Sequence, residues 1–470
     1  MPVTTVEPRR VASSFRDPAG FVFEADGVIH RHVDTAGARD YDQLVESGLY
    51  DHLTSRGMLV AHDEVDVDVS PYPERAHRVL QPTRIPFISH PYEWAPGFLR
   101  DAALLTLDAQ LAALDHGMTL KDASAFNVQL HEGRPVLIDT LSFEKWEEGA
   151  PWVGYRQFCE HFLAPLALIH YHDVRLLRLW RSSVHGIPLD LASRLLPTRT
   201  WFKPGLLTHL HLHAKWQSKS AAVTDSARLQ GRVSEAGLRG MLGSLRSTVK
   251  RLEWRPGGSE WANYYEETNY SQEGTRSKGD LVASMLNETP EGVVWDLGAN
   301  RGDYSRRAVE EGRFVVSFDI DTSAVEYNYR RVAAESDAHL VPLQLDLTDP
   351  SPATGWSSDE RESLESRGPA TTLLALALVH HLAISNNVPL DRIARYFARL
   401  GRYLIIEFVP KSDSQVERLL STREDIFPDY TQSAFERSFG EYFEIQRSEA
   451  VPDSDRTLYL MKRSFEEVEA

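Results

Sequence analysis

Short apolar runs that end in a polar residue recur through the second half of the chain. Residues 293–295 (VVW), 314–320 (FVVSFDI), 340–345, 371–378 (TTLLALAL) and 403–408 (YLIIEF) each fit a strand buried on both faces. Helical stretches lie between them, beginning with residues 304–311, for which Asp303 is a candidate cap and Gly312 a stop. Residues 443–449 and 457–461 predict a closing antiparallel pair. Buried strands alternating with helices imply an α/β domain with a mostly parallel sheet. The first half has a different rhythm. Residues 20–32 (GFVFEADGVIHRH) predict a hairpin turning at Asp26 and Gly27, and residues 41–56 a helix. Residues 63–70 (DEVDVDVS) alternate as a half-buried strand does. Residues 94–116 carry Leu104, Leu107, Leu111 and Leu114 at helical spacing, residues 136–139 close a short hairpin around Gly133, and residues 152–183 read as packed helices. This is an α+β pattern. The polar stretch 217–259, with a helix at 238–252 and the turn Pro256-Gly257-Gly258, reads as a linker. The expected domains are therefore 1–216, a linker 217–259, and 260–470.

The loop after the first buried strand of the second half, in residues 293–305 (VVWDLGANRGDYS), holds the most specific chemistry. Asp296 stands at the strand's carboxyl end, and Gly298 and Gly302 bracket a turn in which the backbone can approach a ligand closely. Asn300 and Arg301 interrupt the dinucleotide fingerprint, and a carboxylate before the loop repels pyrophosphate while suiting an ammonium. A ligand with an ammonium, a sulfonium and an adenosine fits better than one with phosphates. Asp319 ends the second strand, ~20 residues further on, where an acid that holds ribose hydroxyls belongs; Asp321 is the runner-up.

This stretch resembles motif I of class I S-adenosylmethionine (SAM) dependent methyltransferases, and the order of elements over residues 260–463 is similar to theirs. The resemblance implies a seven-stranded Rossmann-like methyltransferase sheet and SAM as cofactor. It implies cofactor binding by Asp296, Gly298, Asn300, Gly302 and Asp319, with Asp346 facing the adenine. It also places a covering helix in residues 261–286, where Tyr264, Tyr265 and Tyr270 could stack on a ligand or simply pack. His380 and His381, after the fourth strand, and Glu407, after the fifth, are the candidate catalytic bases. No Asn-Pro-Pro-Tyr type motif follows the fourth strand, which tells against methylation of an amide or exocyclic base nitrogen.

In the first half, Asp122, Asn127 and Asp139 resemble the catalytic loop and metal-binding Asp of protein-kinase-like folds, including small-molecule kinases. That resemblance implies a degenerate kinase-like domain over about residues 21–215 that binds a substrate or a partner. The chain departs from the family pattern. Leu120 stands in the place of the usual His, Thr140, Leu141 and Ser142 replace the Phe-Gly after the second Asp, and there is no glycine-rich phosphate loop. Each of the three residues also has a local use, capping a turn or ending a strand.

Composition narrows the partners. The net charge of −17 argues against sequence-independent nucleic-acid binding, which needs a dominant basic surface. A single cysteine, Cys159, excludes an internal disulfide and a cysteine-rich zinc site. His209, His211 and His213 could share a strand face and bind zinc, but the surrounding leucines favour a helix that scatters them, and no metal is expected. No apolar run reaches membrane-spanning length, so a cytoplasmic location is expected. The expected partner is a small-molecule substrate, with the oligomeric state open.

Overall fold

The computed structural model describes residues 7–220, 232–256, 272–421 and 424–465. They fall into a front unit, Met1–Arg255 with Ala353–Arg361, and a back unit, Pro256–Pro352 with Glu362–Ala470.

The front unit opens with β1 (Arg9–Arg10), β2 (Gly20–Ala25), β3 (Val28–Asp34), β4 (His62–Val65) and β5 (Ala76–Pro82). They form an antiparallel sheet in the order β1-β2-β3-β5-β4. Asp26 and Gly27, at φ +48 and +78, make the β2–β3 turn that the pattern predicts. Two expectations are modified. The alternating stretch 63–70 leaves the sheet after Val65, because the Asp66 carboxylate accepts the Asp68 N–H and caps a 3-10 turn at Val67–Val69. The helix expected at 41–56 is broken by Gly48, at φ +76, into Ala38–Glu46 and Leu49–Ser55.

The helix Pro96–Asp115 buries Phe98, Ala102, Leu107 and Leu114 and packs against β6 (Met118–Leu120) and β8 (Arg134–Leu137); β7 (Val128–His131) pairs with β8, and β9 (Phe143–Lys145) with β6. The helix read as part of the linker, Glu235–Arg251, packs into this unit. It buries Leu238, Leu242, Leu245 and Val249, and Arg246 donates two hydrogen bonds to Asp108 at 2.6 and 3.0 Å. Segment Ala353–Arg361 also belongs here, with the Arg361 guanidinium 4.1 Å from the Phe126 ring and Glu360 paired with Arg16.

The back unit holds β10 (Val293–Leu297), β11 (Phe314–Asp319), β12 (Leu340–Gln344), β13 (Ala370–Ala375), β14 (Gly401–Phe408), β15 (Phe443–Ala450) and β16 (Thr457–Arg463). The sheet runs β12-β11-β10-β13-β14-β16-β15, with β16 antiparallel to both of its neighbours. This seven-stranded mixed sheet is consistent with a Rossmann-like methyltransferase fold. Trp295 and Phe318 meet edge to face at 5.6 Å in its core. Strand order reverses at β10, between β11 and β13, and a crevice opens outside the carboxyl ends at such a switch point. Among the described residues, no helix is long and apolar enough to cross a membrane.

Candidate active site

The loop leaving β10 takes the left-handed conformation at Gly298 (φ +74), Asn300 (φ +50) and Gly302 (φ +79). The Gly298 and Ala299 N–H groups both donate to the Phe318 carbonyl at 2.9 Å, which ties the loop to β11. Gly302 starts the helix Asp303–Glu310, and a Cβ there would stand 2.5 Å from Asn328 Nδ2. Gly302→Ala is therefore expected to cost about 2 kcal/mol from the left-handed backbone alone, with crowding added, measured by urea unfolding. A loss below about 0.5 kcal/mol would show that the loop relaxes freely.

A cavity of about 320 Å³ opens at this loop. Asp296, Gly298, Asn300, Asp319 and Asp346, all read from the sequence as cofactor residues, line it; Gly302 does not, and acts through the backbone. Asp296 is 2% exposed and accepts the Ser305 hydroxyl at 2.6 Å. Burial pushes its carboxyl up to about 7 against that hydrogen bond, with the Asp319 charge adding to the rise. Asp319 accepts the Asn300 N–H at 2.7 Å and the Asp321 N–H at 2.8 Å, and burial still pushes it up to about 6. Asp346 accepts the Thr348 N–H and hydroxyl at 3.0 and 2.6 Å. The alternative acid, Asp321, is off the wall and caps the helix Thr322–Glu335.

The three candidate bases separate. His381 lines the cavity, and burial and the Arg456 charge push its imidazole down to about 4. His380 lies behind it, fully buried, its ring centroid 4.1 Å from that of His381. Among the described residues, neither of its ring nitrogens has a hydrogen-bond partner. Glu407 is fully buried and off the cavity wall. Its Oε2 accepts the Lys278 ammonium and the Ala377 N–H, each at 2.7 Å, and its Oε1 lies 3.7 Å from Arg456 Nη1. Glu407 thus fixes the backbone where the chain leaves β13, with Ala377 in the left-handed region at φ +50. From behind the cavity wall it ties the Lys278 helix to the turn after β13.

Lys278 and Arg456 both line the cavity, and sequence reasoning missed both. Lys278 shares a buried helix face with Val282 and Met285, so a lone lysine on an apolar stripe was the available clue. Burial pushes its ammonium down, while Glu407 opposes the shift. Arg456 sits in the turn before β16 and donates to both Asp413 oxygens, at 2.7 and 3.1 Å. No periodicity marks it. Tyr264, Tyr265 and Tyr270 lie outside the described residues.

In the front unit, Asp122, Asn127 and Asp139 do come together. Asn127 hydrogen-bonds Asp122 and donates to Ser142 Oγ at 3.2 Å, and Asp139 accepts that hydroxyl at 2.8 Å. Asp122 is pushed up by burial and by Asp139. Arg31, on β3, lies 2.9 Å from Asp139 Oδ1 and fills the place beside that carboxylate where a cation would sit. The three neighbouring histidines are core polar groups. His209 bridges Tyr155 and Ser244, His211 bridges Ser193 and Thr200, and His213 stacks on Tyr155. Among the described residues, no group of three or more His, Cys, Asp or Glu is placed to hold a metal.

The chain is 37% identical over 464 residues to nodulation protein NoeA of Rhizobium meliloti (strain 1021), covering 97% of each. It belongs to the NoeA family. No family model matches it. Among solved structures it is similar to magnesium protoporphyrin IX methyltransferase (ChlM) from Synechocystis PCC 6803 with bound SAH. That likeness is at 19% identity and TM-score 0.31, over 43% of this chain and 93% of that one. It is also similar to the bifunctional kinase-methyltransferase WbdD, at 13% identity and TM-score 0.28, over 43% of this chain and 41% of that one.

Proposed function

We propose that this chain is a SAM-dependent methyltransferase whose acceptor is a small molecule. The observation that carries the reading is the pair Asp296 and Asp319, at the carboxyl ends of adjacent parallel strands, lining one cavity beside a left-handed loop. The residues fit the cofactor. Asp296 is a buried carboxylate with a raised pKa, and an ammonium beside it would relieve the cost of ionising it. Asp319 accepts backbone N–H groups on both oxygens and keeps lone pairs for ribose hydroxyls. Asp346, with Leu345 and Leu347, provides an edge for the adenine. A phosphate-rich ligand is disfavoured by three carboxylates on one wall.

When bound, the cofactor supplies an activated methyl group on a sulfonium. The chain's residues align the acceptor with it and exclude water. His381 lines the cavity as a neutral imidazole at pH 7. The test is calorimetry with SAM's demethylated product, SAH, on the intact protein. Binding in the micromolar range, about −8 kcal/mol, is expected; the absence of heat at every concentration would end the reading.

The front unit serves substrate or partner binding in this reading. Its resemblance to kinase-like folds supports the architecture of such a domain, while Arg31 beside Asp139 tells against phosphotransfer. Added magnesium and ATP are accordingly expected to shift the melting temperature by less than about 1 °C, since a ligand that does not bind the native state cannot stabilise it. A shift of several degrees that is lost in Asp139→Ala would instead establish a second active site. The part that NoeA's name assigns to that protein, nodulation, is proposed for this chain no more finely than that.

A further inference from the structure

We propose that Arg306 is a positioning residue for the cofactor: from behind the glycine loop its guanidinium grips the carbonyls of residues 301 and 302 and holds the loop in its cofactor-binding shape. This rests on the methyltransferase reading above.

Arg306 is the fourth residue of the helix Asp303–Glu310 and is 9% exposed. Its side chain turns back toward the start of the helix, as long helical side chains do. One nitrogen, Nη1, donates to the Arg301 carbonyl at 2.9 Å and to the Gly302 carbonyl at 3.1 Å. Gly302 leaves room for it, since a Cβ there would stand 2.9 Å from that nitrogen. Arg306 itself is off the cavity wall, while Gly298, Ala299 and Asn300 of the same loop are on it. Asn300 is left-handed at φ +50, a conformation that a non-glycine residue keeps only where its surroundings impose it. Its own N–H is held by Asp319 at 2.7 Å. Beyond it the chain runs directly into the two carbonyls that Arg306 grips. Releasing those carbonyls lets Asn300 relax and loosens its hold on Asp319, so the cofactor loses the shape of the loop and the orientation of its ribose acid together.

Fold stability does not account for this arginine. It is a cation at the end of a helix's first turn, where the helix already carries positive partial charge. Burial and the nearby Arg331 charge both push its pKa down. Its one ion pair among the described residues, with Glu335, is long at 3.9 Å, and that carboxylate is half exposed. Among the described residues, its Nε and Nη2 have no hydrogen-bond partner. A guanidinium has five N–H groups to spend. This one spends its hydrogen bonds on two carbonyls of the glycine loop. The burial of a charge in an unfavourable place is offset by control of the loop that meets the cofactor.

The test measures SAH affinity and the ligand-free melting temperature of the intact protein carrying Arg306→Leu or Arg306→Lys. Leucine is expected to weaken SAH about tenfold, the low end for a hydrogen bond to a charged group. Its melting temperature is expected to stay within about 3 °C of wild type. Lysine is expected to bind SAH within about threefold of wild type, because both bonds come from a single nitrogen and the contact is not bidentate. A leucine variant that binds SAH as wild type does overturns the proposal and leaves the methyltransferase reading standing. A leucine variant that fails to fold, or melts more than about 3 °C lower, assigns Arg306 to the fold and also overturns it. So does a lysine variant as weak as the leucine one. Wild-type protein that does not bind SAH fails the methyltransferase reading, and the proposal with it.

Discussion

Asp296→Asn is expected to weaken SAH binding about 100-fold, the loss of a charge-assisted contact of roughly 3 kcal/mol, while stabilising the ligand-free protein at alkaline pH. The two effects have opposite signs for one reason. Burial raises the Asp296 pKa to about 7, so the ligand-free fold prefers the protonated acid. A raised pKa gives a stability contribution that is complete below the ordinary carboxylate range and is lost as pH rises through about 7. At pH 8 the wild type therefore bears the cost of a buried anion, on the order of 2–4 kcal/mol, which the amide does not. The neighbouring Asp319, raised to about 6, adds a loss of the same sign slightly lower in pH. Urea unfolding at pH 5.5 and pH 8 would show the gap between variant and wild type opening with pH. Binding to the wild type should tighten from pH 6 to pH 8 and release a proton, measured by calorimetry in buffers of different ionisation enthalpy. If the asparagine variant binds SAH within about threefold of wild type, Asp296 is not the ammonium site.

Glu407→Ala is expected to cost about 3–5 kcal/mol, the range for removing one partner of a buried ion pair. In a unit of this size that lowers the melting temperature by about 10 °C. The carboxylate satisfies the Lys278 ammonium and the strained Ala377 N–H, and it stands 3.7 Å from Arg456. Alanine takes this acceptor from the Lys278 ammonium and the Ala377 N–H, and takes one of two neighbouring carboxylates from Arg456, which keeps Asp413. Glu407→Gln keeps an acceptor for Ala377 and should lie between alanine and wild type. A general base would behave differently: glutamine would abolish turnover at unchanged stability, and that outcome would restore Glu407 to the chemistry.

The methyltransferase-like sheet was legible because each of its five parallel strands contains a continuous apolar run, as strands buried on both faces require. The acids at the strand ends were legible because their spacing follows the chain. Asp296 and Asp319 are brought together by one β-α-β connection, and a crossover of that kind has a narrow range of lengths. The front unit was harder to read. Its expected strand at 63–70 gave way to local Asx capping, and its linker helix proved to carry a buried stripe of Leu238, Leu242, Leu245 and Val249 beneath a polar sequence.

The sequence alone determined the glycine loop, its carboxylate and the alternation of strand and helix, because these depend on neighbours within a few tens of residues. Only the tertiary structure separated His381 on the cavity wall from His380 behind it, since the two are adjacent in sequence and the turn after β13 decides which faces out. It alone assembled Lys278, Glu407 and Arg456, three residues from a helix, a strand end and a hairpin turn. Ion pairs of this kind form where strand order brings distant segments together, and no periodicity in a single segment records the partner it will meet.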